Sequence, residues 1–237
     1  MKIESTSVKR PLKRALRPAK RTWLKLRTRL KMGKLHEYVG ESERIAGWAR
    51  GAEANELALT ARSLPGAPVI MEVGTFLGSS AVLLAGARKI AGAGVVHCVD
   101  PFDSSGDAHS VPFYKEITDQ IPTSMRGQFD ENMRAAGVSD WVVVHEGTSE
   151  AIVSTWSEPI DLLFLDGDQS PAGARSAYES WVKFLKPGGV IAIHNSADRA
   201  YSDDHDGSRR VVVESIVPPQ FVDIRCVGTT TFATRVI

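Results

Sequence analysis

Apolar blocks and helix-spaced blocks alternate along the chain from residue 67 to residue 195. "APVIMEV" (67–73) reads as a buried strand and "SSAVLLAGARKIA" (79–91) as a helix. "GVVHCVD" (94–100), "WVVVHEG" (141–147), "IDLLFLD" (160–166) and "GGVIAIHN" (188–195) read as four further strands. Between them, residues 112–136 mix helix and loop, interrupted at Pro122 and Gly127. "TSEAIVSTW" (148–156) and "PAGARSAYESWVKFL" (171–185) read as helices. Strands and helices alternating at this spacing predict a parallel sheet with helices on both faces. Apolar runs without polar alternation fit strands covered on both sides.

The tail departs from the pattern. "RRVVVESIV" (209–217) reads as a helix. "FVDIRCV" (221–227), Gly228 and "TTTFATRVI" (229–237) read as an antiparallel pair. The expected fold class is therefore α/β: a doubly wound, Rossmann-like, seven-stranded sheet, mostly parallel, with an antiparallel C-terminal strand. Residues 41–63 read as one helix that covers this domain, which spans 41–237.

Residues 1–40 are a separate basic amphipathic arm. Leu12, Leu16, Trp23 and Leu30 recur at helical spacing, while Pro11 and Pro18 break the run into two short pieces. The net charge of +1 hides a split. Residues 1–34 hold thirteen Lys or Arg against the single acid Glu4, a balance of +12, which leaves the rest of the chain at −11. A basic arm on an acidic body suggests an anionic partner, peripheral contact with the inner membrane surface, a homodimer contact, or an arm folded onto its own body. A solvated arm is the plainer alternative. Nucleic acid is not expected, because aromatics do not interleave with the bases and the body is acidic.

A chain of 237 residues suffices for one α/β domain with a sizeable core. Cys98 and Cys226 have neither CxxC nor metal spacing and read as buried, reduced thiols, which suits a cytoplasmic location. No apolar stretch is long enough to span a bilayer, and the N-terminus lacks the apolar centre of a secretory signal.

In an open α/β sheet, ligands bind at the carboxyl ends of the strands where the strand order reverses. The residues at those ends are Glu72 and Gly74, then Asp100, then 147–149, then 166–168, then His194 and Asn195. "VIMEVGTFLGSS" (69–80) resembles a dinucleotide turn, but Phe76 stands where the second glycine of G-x-G-x-x-G belongs, and no G-K-S or G-K-T phosphate loop occurs. An acid beside the turn repels phosphate and attracts an ammonium group. Asp100, at the end of the second strand, suits the two hydroxyls of a ribose. Two acids and a tight glycine turn without a phosphate cradle describe a nucleoside that carries a cation, the chemistry of S-adenosylmethionine.

The series "EVGTFLGSS … VD … EGTS … DLLFLDGD … LKPGGVIAIHN" resembles class I S-adenosylmethionine-dependent methyltransferases. Within them it is most similar to the small catechol-type O-methyltransferases and to the sugar-tailoring macrocin and rhamnosyl O-methyltransferases, over roughly residues 42–237. The resemblance implies that Glu72, Gly74, Thr75, Phe76, Gly78, Ser79 and Ser80 hold the methionine end. It further implies that Asp100 takes the ribose and that Thr148, Ser149 and Glu150 flank the adenine. Asp166 would sit beside the sulfonium. In metal-dependent relatives the equivalent of Asp166 also binds a divalent ion such as Mg²⁺, with two ligands at the end of the fifth strand. Here those positions are His194 and Asn195, a departure, because hard cations prefer carboxylate oxygen.

Methyl transfer needs a proton removed from the acceptor. His194 and Asp168 are the candidate bases, with Asp166 as the third catalytic residue. "HNSADRAYSDDHDGS" (194–208) reads as a mobile loop over the acceptor, and His109 and His205 lie at the same rim. Rim loops rich in Asp, Ser and His, with little aromatic wall beside the fifth strand, favour a hydroxyl on a sugar or saccharide-bearing metabolite. A phenolic acceptor, or a non-catalytic protein of the same fold, are the rivals. The missing glycine argues against a nicotinamide oxidoreductase.

Overall fold

The computed structural model describes residues 32–237. The helical pieces expected before Met32 lie outside the described residues.

Two helices open the described chain, α1 (Leu35–Arg44) and α2 (Gly51–Ser63). One helix over 41–63 was the expectation; the structure breaks it at residues 45–50. The Arg50 guanidinium holds the break, donating to the carbonyls of Ser42 and Ile45 and to Ser79 Oγ. Those bonds replace the intrahelical partners that the end of α1 lacks. The helix α1 begins inside the stretch assigned to the arm, yet Leu35 is fully buried and the Tyr38 ring lies against Gly86. Met32 is buried as well.

The sheet is built from β1 (Val69–Val73), β2 (Val95–Asp100), β3 (Val142–Glu146), β4 (Ile160–Leu165), β5 (Leu185–Ile193), β6 (Phe221–Val227) and β7 (Thr230–Arg235). Their order is β3-β2-β1-β4-β5-β7-β6. The first five strands pair in parallel, and β7 runs antiparallel to both β5 and β6. The strand order reverses between β1 and β4, which makes the ends of those strands the expected ligand crevice.

Period-2 alternation sends Ile70 into a core with Leu57, Leu83 and Phe129, and sends Met71 and Val73 into a second core with Trp181 and Val211. The first layer holds α1, α2, α3 (Ser79–Ala91) and α5 (Met125–Ala135). The second holds α7 (Pro171–Trp181) and α8 (Gly207–Ser215). Residues 112–136 resolve into α4 (Val111–Thr118) and α5, parted around Pro122; Gly127 lies within α5 and breaks nothing. A short α6 (Ser149–Val153) follows β3. Cys98 is buried as expected, but Cys226 is exposed, because β6 is the sheet's edge and turns that face outward.

Candidate active site

The ladder continues past the ends of the strands. Gly74 N–H donates to Val99 O, Asp166 N–H to Val73 O, His194 N–H to Leu165 O and Gly147 N–H to Asp100 O. These bonds fix the residues after four strands in one row. A cavity of about 860 Å³ opens above them. Its volume falls within the range of small-molecule sites.

The turn after β1 depends on its glycines. Gly74 has φ +87°, and a Cβ there would lie 2.4 Å from Gly167 Cα. Only glycine lets the β1 and β4 turns approach this closely. Gly78 has φ +88° and is packed against Phe129 and Met133 as α3 begins. Phe76 and Asn195 are left-handed without being glycine, each at φ +50°, and both line the cavity. Such strain concentrates at functional sites.

Asp100 accepts from Phe76 N–H with Oδ2 and from Phe102 N–H with Oδ1. Burial pushes its carboxyl up, and the backbone N–H bonds oppose that shift. A carboxylate has about four acceptor positions, so Asp100 keeps capacity for a further donor. Thr148 caps α6 by accepting from Ala151 N–H, and Ser149 Oγ accepts from the Trp181 indole. Thr148, Ser149 and Glu150 all line the cavity, as do Thr75, Ser79 and Ser80.

Glu72 sits elsewhere. It faces the first core under α3, opposite Cys98 in the ladder, and is not on the cavity wall. Oε2 accepts from Thr75 Oγ1 at 2.7 Å, while Oε1 has no partner. Burial raises its carboxyl to about 7. Glu72 therefore supports the turn from beneath, and Asp166 is the carboxylate that lines the same end of the cavity.

His194 is almost fully buried between two acids. Nδ1 lies 2.6 Å from Asp166 Oδ1, and Nε2 lies 3.7 Å from Glu53 Oε1. Burial works against its charge, but Asp166 and then Glu53 outweigh burial and raise it to about 10. Glu53 also accepts from Thr229 N–H and from the Thr229 and Thr230 hydroxyls. Burial would raise Glu53, but the bonds from His194 and Thr229 hold it down at about 2. The two acids thus favour the protonated form of His194, with Nδ1 turned onto Asp166.

This bears on two expectations. A ring whose nitrogens face two carboxylates is poorly placed to act as the general base or as a metal ligand. Asp166 Oδ1 is occupied by His194 and by Gln169 Nε2. The Asn195 amide N–H groups are spent on Gln169 and His205. With the His194 ring turned onto Asp166 and Glu53, these three positions leave only Asp166 Oδ2 and Asn195 Oδ1 to a cation, too few protein ligands to make the expected set. Among the described residues, no group of three His, Cys, Asp or Glu side chains is placed to hold one. Asp168 lines the cavity, but Oδ1 accepts from Ser170 N–H at the start of α7.

Other wall residues were missed or undervalued in the sequence. Trp48, from the break between α1 and α2, forms a cluster with Phe76 and Tyr114, with ring centroids 5.1–5.4 Å apart. Phe113 and Tyr201 also line the cavity. An aromatic wall therefore exists: Trp48, Phe76, Phe113 and Tyr114 come from elements far in sequence from the fifth strand, and Tyr201 from the loop that follows it. The loop expected to be mobile is anchored at both ends: Ser196 Oγ binds Ile193 O and Thr231, and Gly207 N–H donates to Gln169 O.

Residues 71–196 match the model of a family described as "Methyltransferase domain". The chain belongs to the methyltransferase-domain family. Its fold is the class I methyltransferase fold, with solved structures that cover most of this chain. An O-methyltransferase from Bacillus cereus, solved with SAH, is 19% identical over 85% of this chain and 90% of its own, at TM-score 0.57. TomG of Streptomyces achromogenes, an O-methyltransferase of tomaymycin synthesis solved with SAM, is 19% identical over 86% and 90%, at TM-score 0.56. A candidate O-methyltransferase of Klebsiella pneumoniae is 19% identical over 86% and 90%, at TM-score 0.59. No helix among the described residues is long and apolar enough to cross a membrane.

Proposed function

We propose that the protein is an S-adenosylmethionine-dependent O-methyltransferase acting on a small hydroxyl-bearing molecule. One observation carries the reading. The Gly74–Ser80 turn, the half-satisfied Asp100, the Thr148–Glu150 cap and Asp166 face one cavity at the point where the strand order reverses.

In this reading Asp100 binds the ribose, and the cap of α6 flanks the adenine. The 74–80 turn and Asp166 hold the methionine end. S-adenosylmethionine, when bound, supplies a methyl group already activated on positive sulfur. The protein orients the acceptor oxygen and removes its proton. The His194 ring, bonded to Asp166 Oδ1, fixes the direction of that carboxylate. No metal step is part of this account.

A saccharide-bearing acceptor remains the first reading. Ser104, Ser105, His109 and Ser202 on the rim suit hydroxyl-rich ligands. The Trp48, Phe76 and Tyr114 rings favour a second reading, a planar phenol stacked on that wall. Tritium-labelled S-adenosylmethionine incubated with methyl glycosides and with catechols tests both. Label in neither class would contradict the proposal. We read the basic arm as a cytoplasmic contact to an anionic surface; sedimentation with anionic and neutral vesicles tests that reading.

A further inference from the structure

The cavity wall holds a second buried histidine whose hydrogen bonds set it opposite to His194. His205 Nδ1 lies 3.1 Å from Asp107 Oδ1, and Nε2 lies 3.3 Å from Asn195 Nδ2. The Asp107 side chain is 0% exposed and also accepts from Ser110 N–H at 3.0 Å. Burial would raise the Asp107 carboxyl, but the bonds from His205 and Ser110 hold it down at about 2.

The direction of each hydrogen bond follows from the two carboxylates at the ends of the chain. Asp166 only accepts, so Gln169 turns Nε2 toward it, at 3.1 Å. Gln169 then presents Oε1 to Asn195, which must donate with Nδ2, at 3.0 Å. The second proton of that same nitrogen points to His205 Nε2. A proton on Nε2 would oppose it, so Nε2 carries the lone pair and Nδ1 carries the proton that goes to Asp107. The network thus favours one tautomer, with the proton on Nδ1 and the lone pair on Nε2, in a ring that lines the cavity. Around it stand Asp107, Asn195, the His109 ring at 4.6 Å and the Tyr201 ring at 6.0 Å.

We propose that His205, oriented by buried Asp107, is the general base of this site. The proposal rests on the methyltransferase reading. His205 Nε2 displaces its long contact with Asn195 and takes the proton from the acceptor hydroxyl. The oxygen electron pair forms the new O–C bond, and the pair of the broken C–S bond stays on sulfur, which loses its charge. The proton on His205 then leaves to solvent. Asn195 Nδ2, released from His205, then donates to the acceptor oxygen as it loses its proton.

The test uses the full chain, labelled with ¹⁵N-histidine and saturated with S-adenosylhomocysteine, at neutral pH. Long-range ¹H–¹⁵N correlations should show His205 protonated on Nδ1 alone and His194 protonated on both nitrogens. Asp107→Asn should abolish the single tautomer of His205 and leave His194 unchanged. His205 protonated on Nε2, or unaffected by Asp107→Asn, would overturn the proposal. In parallel, tritium-labelled S-adenosylmethionine is offered with catechol and with methyl α-glucopyranoside. His205→Asn should lower kcat about a hundredfold or more at unchanged cofactor affinity, and His205→Ala should regain part of it with added imidazole. Wild-type kcat in His205→Asn would overturn the proposal. If neither probe is methylated, the tautomer readout decides. Failure of the wild-type chain to bind S-adenosylhomocysteine contradicts the methyltransferase reading instead.

Discussion

Nδ1 of His194 lies 2.6 Å from Oδ1 of Asp166, and the ring they share is buried. The other nitrogen of that ring faces Glu53. A buried cation between two acids is well paired, and removing one partner strands the rest.

Stability should follow the charge of His194. Its folded value is raised to about 10 from an ordinary 6.5. Its contribution is therefore fully present below about 6.5 and is lost as pH rises toward 10. Urea unfolding across that window should show wild-type stability falling more steeply than that of His194→Gln. Parallel curves would show that His194 is not the titrating group.

Chelation should leave the enzyme unaffected. Metal-dependent relatives of the catechol type would lose activity with EDTA, but here the ring at one of the three ligand positions is turned onto Asp166 and Glu53. Cofactor affinity and methyl transfer should be the same with EDTA and with added Mg²⁺. Loss of either with EDTA, restored by Mg²⁺, would reverse the assignment of His194.

The glycine at 74 should be irreplaceable. Gly74→Ala meets both a left-handed backbone and Gly167 Cα at 2.4 Å. The strain is of order 1–3 kcal/mol before the clash is added. Thermal unfolding should occur at lower temperature, and binding of S-adenosylhomocysteine should be lost. Gly92→Ala, also left-handed but with open space around it, should lose stability alone.

Trp48 should report on the acceptor. It is 42% exposed and stacks near Phe76 and Tyr114. Trp48→Ala should raise the acceptor KM about tenfold, the scale of one aromatic contact, while the melting temperature barely moves. An unchanged KM would remove the aromatic wall from acceptor recognition.

The sheet was legible because period and punctuation suffice for it. "SSAVLLAGARKIA" is α3 to the residue, and the antiparallel end of the sheet followed from the paired tail segments. The break between α1 and α2 was hidden because it depends on Arg50 capping carbonyls five and eight residues earlier. Strand-end positions pointed to Asp100, Asp166, His194 and Asn195, all of which line the cavity. Their states were not legible. Glu72 reads as a wall residue until alternation places it under α3. His194 reads as a base until Glu53, 141 residues away, is seen across from it. The Asp107–His205 pair joins two loops 98 residues apart, a contact that no local pattern encodes.

The most direct test of the central claim is calorimetric titration of the full chain with S-adenosylhomocysteine, beside Asp100→Ala. The account predicts one site per chain in the wild type and strongly weakened binding in Asp100→Ala. Wild-type heats indistinguishable from dilution would contradict it.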